Sequence, residues 1–134
     1  MRPEKTLQLL RWTLGVTAFV AGFDKFTNLL TDWEKYLAPQ VERNLPLDGR
    51  NFMRLIGIVE MLVGALVLSR HSKLGSYIAS AWLLAIAGNL IMSGENLDVA
   101  ARDVNMAVGA LALAALTGKR TQEVQEIQPF ESAA

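Results

Sequence analysis

The segment Leu74-Gly75-Ser76-Tyr77-Ile78-Ala79-Ser80-Ala81-Trp82-Leu83-Leu84-Ala85-Ile86-Ala87-Gly88-Asn89-Leu90-Ile91-Met92-Ser93-Gly94 contains no charged side chain. A helix on the surface of a water-soluble bundle keeps a polar stripe opposite its apolar one. Here Tyr77, Ile78, Trp82, Leu83, Leu84, Ile86, Leu90 and Ile91 go round the whole circumference, relieved only by small residues and Asn89. About 20 mostly apolar residues suffice to cross a bilayer. The segment therefore predicts a membrane-spanning helix over Leu74 to Ser93.

Working outward, the same reading places three more spans at Leu7 to Lys25, Asn51 to Ser69 and Val99 to Thr117. The chain is 51% hydrophobic and 19% charged, values that a compact soluble domain also reaches, so the distribution of charge decides the matter. Trp12 to Phe23 and Val104 to Gly118 are charge-free as well, and the charges collect in the connections. The expected fold is all-α: a four-helix membrane bundle over residues 1–118 in contact with the lipid bilayer, followed by a disordered polar tail over 119–134. Between the first two spans, Phe26, Leu29, Leu30, Trp33, Tyr36 and Leu37 recur at helical spacing. They predict a short amphipathic helix over Phe26 to Pro39, stopped by Pro39 and lying at the membrane surface, with a turn at Pro46 and Asp48-Gly49 leading into the second span.

Several function classes fall away on composition. The chain has no cysteine, hence no disulfide, no CxxC redox pair and no thiolate metal site. Its single histidine, His71, sits in a polar connection and cannot supply bis-histidine haem ligation. A formal net charge of zero and the lack of a basic, aromatic-bearing stripe argue against a nucleic-acid partner. Arg2 and Lys5 precede an apolar run much as in a secretory signal, but without a clean small-x-small site the run is expected to remain as an uncleaved first helix. Arg2, Lys5, Arg70, Lys73, Lys119 and Arg120 flank one side of the expected bundle. The positive-inside rule then expects both termini to be cytoplasmic in a bacterial-type inner (plasma) membrane.

The candidate site follows from Glu60, a carboxylate set in the apolar run Leu55 to Leu68. An ionised side chain at the middle of a spanning helix costs about 2.5–3.5 kcal/mol on insertion scales, so Glu60 is expected to face protein or trapped water. Alternating helix direction brings the end of the first helix, the start of the second, the end of the third and the start of the fourth together. Asp24, Lys25, Asn89, Arg102, Asp103 and Asn105 gather at that end, above Glu60. Gly57, Glu60 and Gly64 on the second helix, and Gly15, Ala18 and Gly22 on the first, form small-residue faces that permit close helix approach. Glu60 is either a packing carboxyl paired with Arg102 or Lys25, or a desolvated carboxyl able to take up a proton or hydrogen-bond a quinone or other carbonyl ligand. Asp98 is read as the N-cap of the fourth helix, and Arg102 as a partner for Asp24, Asp103 or an anionic ligand. Arg11, one turn inside the other end of the first helix, is explained by snorkelling.

The runs Leu10-Arg11-Trp12-Thr13-Leu14-Gly15 and Ala21-Gly22-Phe23-Asp24-Lys25-Phe26, then Gly57 to Leu68, then Arg102-Asp103-Val104-Asn105-Met106 leading into Gly109 to Leu113, resemble the DoxX family of small four-helix membrane proteins. The resemblance covers about Leu7 to Leu116. It implies association with membrane redox complexes, such as a thiosulfate:quinone oxidoreductase or an oxidative-stress assembly, in an accessory more than a catalytic role. The leading expectation is thus an accessory subunit with redox-complex partners, no intrinsic cofactor and a bound quinone near Glu60. A small oligomeric, proton-coupled transporter and a ligand-free scaffold are the alternatives.

Overall fold

The computed structural model describes residues 1–133, with side chains as far as Gln128; Ala134 lies outside the described residues. Five α-helices and one 3-10 turn make up the fold: α1 (Pro3–Thr27), the 3-10 turn Trp33–Tyr36, α2 (Pro39–Glu42), α3 (Gly49–Leu68), α4 (Ser72–Ser93) and α5 (Leu97–Ala133). No strand occurs among the described residues. Local chemistry sets the ends of the long helices. Pro3 occupies the first turn of α1, where its missing N–H leaves no bond unmade. Asn28 ends α1 in the left-handed conformation, Asp48 caps α3 by accepting the Asn51 N–H at 3.0 Å, and Gly94 ends α4 at a φ of 72°.

Three helices, α3, α4 and the described part of α5 over Leu97–Gln128, are long and apolar enough to cross a membrane. At 25 residues α1 has the length but is not among them, because Gln8, Arg11 and three threonines lower the apolarity of its central stretch, residues 6–23. Burial runs opposite to that of a water-soluble bundle. The buried apolar set is mostly alanine, including Ala79, Ala87, Ala107, Ala110 and Ala114, and the interior also takes Asp24, Lys25, Glu60, Asp103 and three serines of α4. Trp12, Phe19, Phe23, Leu62, Leu84, Ile91 and Val108 point outward. Each such side chain left in water forgoes about 1.5–3 kcal/mol relative to burial, whereas hydrocarbon imposes no such loss. A membrane-embedded protein fits this surface.

The helices pack chiefly as two pairs, α1 on α3 and α4 on α5, joined where α3 meets α4. In the first pair Gly22 abuts Gly57 and Gly15 abuts Gly64, at matching seven-residue spacings on antiparallel helices. A Cβ added to Gly57 would lie 2.5 Å from the Gly22 carbonyl oxygen, and one added to Gly64 would lie 2.6 Å from that of Gly15. Glycine is needed here because backbone meets backbone. In the second pair, Ser80 donates to the Ala107 carbonyl at 2.9 Å between alanine-rich faces.

Five local readings change. The expected helix over Phe26 to Pro39 is absent: α1 runs on to Thr27, the chain then turns, and only the 3-10 turn and α2 follow. Pro39 opens α2 instead of stopping a helix, since its fixed φ suits a first helical position and Ala38 before it is extended. The expected disorder of 119–134 gives way to a continuation of α5 through Ala133, in keeping with the Gln and Glu residues, good helix formers, from Thr121 to Gln128. Asp98 stands inside the first turn of α5, where a carboxylate meets the positive helix end, so it is not the N-cap. Arg11 does more than snorkel, because it donates to the carbonyls of Val67 (3.2 Å), Leu68 and Ser69 (3.1 Å) and so satisfies the C-terminus of α3.

Candidate functional site

The Gly22–Gly57 contact brings the last turn of α1 against the middle of α3, and this places Lys25 beside Glu60. Lys25 Nζ donates to Glu60 Oε2 at 2.5 Å, and both side chains are almost wholly buried. Two indoles complete the surroundings. The Trp33 ring lies under the Lys25 ammonium at 3.8 Å from its centroid, a cation–π contact. Trp82 Nε1, from α4, faces Glu60 Oε1 at 3.5 Å. The carboxylate therefore has a partner on each oxygen, and the pair is charge-neutral within an apolar bundle.

Asp24, adjacent in sequence, has a different task. Its carboxylate accepts from Thr27 Oγ1 (2.8 Å), the backbone N–H groups of Leu29 (3.1 Å) and Leu30 (3.0 Å), and Trp33 Nε1 (2.8 Å). These bonds fold the chain after α1 back over the helix end and aim the Trp33 ring at Lys25. Asn89 of α4 secures the far side of the same connection, donating to the Tyr36 carbonyl at 2.6 Å and accepting the Ala38 N–H at 3.0 Å. Leu37 and Ala38 are buried beneath that clamp. The connection is thus a cover held at two points, with Trp33 as its inner surface.

Asp103 on α5 is buried. Its one side-chain partner is Arg102 Nη2 at 3.3 Å, whose own side chain is 63% exposed. Of the residues expected to cluster, Lys25 and Glu60 form the buried ion pair and Asp24 and Asn89 build its cover, while Asp103 is buried on α5 with Arg102 as its partner. Arg102 lies at the rim, paired with Asp103 and not with Glu60. Asn105 turns away: it is exposed on the outer face of α5, so it is no part of the cluster. Trp33 and Trp82 are site residues that pattern reading missed, because an indole in an apolar run reads as packing or as an interface anchor. Among the described residues no group of three His, Asp or Glu side chains converges as a metal site.

Removing the Asp24 carboxylate releases the cover. In Asp24→Ala, backbone amide exchange at Leu29 and Leu30 is expected to rise roughly ten- to hundredfold, from the loss of hydrogen bonds to a charged acceptor. Hydrogen-exchange mass spectrometry of residues 28–37 reads this directly, and unchanged protection there would show that the carboxylate does not hold the connection.

Comparison with family models, with curated proteins and with solved structures finds no match to this chain.

Proposed function

We propose that this protein is an integral membrane accessory subunit of a quinone-linked or oxidative-stress redox complex, and that the Lys25–Glu60 centre is its ligand site. In this reading α1 is the fourth span: it lies along α3 over the glycine contacts and turns Trp12, Phe19 and Phe23 outward to lipid. Both termini then face the cytoplasm of a bacterial-type inner membrane, as the distribution of Lys and Arg favours. The observation that carries the site is a buried ammonium–carboxylate pair under a flat aromatic ring, close to the middle of a spanning helix. A quinone offers the same two features that Lys25 already meets, an oxygen acceptor and a planar π face. If the Trp33 cover swings aside, the ligand ring takes the place of the indole and its carbonyl accepts from Lys25. The DoxX resemblance supports the accessory role and the redox setting.

The test is native mass spectrometry of the protein extracted in mild detergent, with added menaquinone or ubiquinone as probe. A retained quinone or redox partner, with the quinone lost in the double variant Lys25→Met/Glu60→Leu, supports the proposal. A ligand-free, partner-free preparation whose Glu60→Gln form keeps its full cellular role opposes it.

Asp103 favours a second reading. The interior holds Glu60 and Asp103 as buried carboxylates and Lys25 as a buried ammonium, and a row of titratable groups of this kind can pass protons in a small oligomeric, proton-coupled transporter. Proton flux in proteoliposomes that Glu60→Gln abolishes would place this reading first.

A further inference from the structure

The end of the bundle opposite the cover over Lys25 carries a patch of one sign, and three contacts bring its parts together. Arg11 of α1 reaches the last carbonyls of α3, and Arg120 of α5 meets Glu4 of α1 at 3.5 Å. The Lys73 side chain of α4 lies on Gly118 of α5, with its Nζ 3.1 Å from where a Cβ would stand there. The start of α1, the turn from α3 into α4 and the stretch of α5 around Lys119 therefore share one end. They contribute Arg2, Lys5, Arg70, Lys73, Lys119 and Arg120, all exposed, against Glu4, which Arg120 already engages. Glu123 and Glu126 stand about 6 and 10 Å beyond Lys119 along α5. Among the described residues the remaining ion pairs, Lys25–Glu60 and Arg102–Asp103, lie toward the other end, so Arg70, Lys73 and Lys119 have no acidic partner. The first turn of α4 holds no acid either, which leaves the positive end of its dipole beside Lys73.

What borders the patch fixes the chemistry of its partner. Leu74, next to Lys73, and Leu116, three residues before Lys119, are exposed. Tyr77, about 6 Å farther into the span than Lys73, and Trp12, the neighbour of Arg11, are exposed as well. Tyr and Trp collect where hydrocarbon meets headgroups, so these two put Lys73 and Lys119 at the depth of lipid phosphates. A soluble anion gains nothing from the apolar border. An acidic protein resting on the membrane would meet the outermost charges but not Lys73 where it lies along the side of α5. A phospholipid of net negative charge meets both, setting its phosphate against the basic groups and its acyl chains against the apolar flank.

We infer that this end of the bundle binds anionic phospholipid, with the phosphate held between α4 and α5 by Lys73 and Lys119 and with Arg70 beside them. The inference rests on the membrane placement of α4 and α5 and not on what the Lys25–Glu60 centre binds.

The test is native mass spectrometry of the full-length protein in detergent, titrated with dioleoylphosphatidylglycerol or dioleoylphosphatidylcholine. Phosphatidylglycerol is expected to bind more tightly. A basic residue near an anionic surface is worth roughly fivefold, so Arg70→Gln/Lys73→Gln/Lys119→Gln should weaken phosphatidylglycerol about a hundredfold while its helical circular dichroism is kept. Lys73→Arg/Lys119→Arg should retain the affinity, and so should Lys35→Gln/Arg43→Gln/Arg50→Gln at the other end. Millimolar glycerol phosphate should not displace the lipid. Equal affinity for the two lipids, equal loss from both triple variants, or displacement by glycerol phosphate would overturn the inference. Flotation with liposomes of phosphatidylcholine alone reads the membrane placement by itself: protein that floats yet shows no preference overturns this inference only, and protein that does not float overturns the placement beneath it.

Discussion

Replacing Glu60 with Gln is expected to destabilise the folded protein by about 3–5 kcal/mol, because the Lys25 ammonium then stays buried with no opposing charge. Lys25→Met should cost a similar amount by stranding the carboxylate, which would keep only the long contact to Trp82 Nε1. The double variant Lys25→Met/Glu60→Leu should recover most of that loss. It removes both charges together, and well-packed apolar replacements of a buried pair are often neutral or stabilising by about 1–4 kcal/mol. Reversible unfolding in mixed micelles of the parent, Lys25→Met, Glu60→Leu and the double variant closes a double-mutant cycle and gives the coupling. Single variants as stable as the parent would mean that water reaches the pair. The double variant also separates packing from ligand binding: a protein that folds as well as the parent yet retains no quinone places the function on the pair itself.

A comparable loss is expected from Gly57→Leu, for a geometric reason. The added Cβ would sit 2.5 Å from the Gly22 carbonyl oxygen and 3.1 Å from the Lys25 Cβ, so α1 has to move away from α3. Overpacking commonly costs about 1–3 kcal/mol, and more where the obstacle is backbone that cannot rotate aside. The same displacement pulls Lys25 from Glu60, so Gly57→Leu should also expose the ion pair. Gly88→Leu is the control, because no atom lies within 4 Å of the site of its Cβ. It should stay within about 0.5 kcal/mol of the parent. Thermal unfolding in the same micelles compares the two, and equal stability would remove the glycine contact as the reason α1 lies where it does.

The helical class and the meeting of Glu60 and Lys25 are legible in the sequence because both follow from one-dimensional features. Uncharged run length marks the helices, and alternating direction says which ends meet. What depends on rotation about a helix axis is legible only where glycines mark the inner face. Gly57 and Gly64 gave the side of α3 on which Glu60 lies, whereas nothing equivalent marked α5, so Asp103 and Asn105 were grouped although they lie on opposite sides. Bonds from side chains to distant backbone leave no pattern at all. Asn89 clamping residues 36–38 and Arg11 closing the end of α3 rest on atoms every residue has, and they emerge only once the helices are placed. The connection after α1 misled for a related reason: its helical spacing of apolar residues was real, but the four bonds accepted by Asp24 hold that stretch in a turn.

Spin labels attached to Ile58→Cys and Leu62→Cys, two residues either side of Glu60 and both outward-facing, measure most directly whether the ion pair lies within the bilayer. In liposomes both labels should be relaxed strongly by oxygen and hardly at all by a water-soluble nickel chelate, in contrast to a label at Gln122→Cys on the exposed polar end of α5. Nickel relaxation at Ile58 and Leu62 as strong as at Gln122 would put Glu60 and Lys25 in water and contradict a charged pair held inside a membrane bundle.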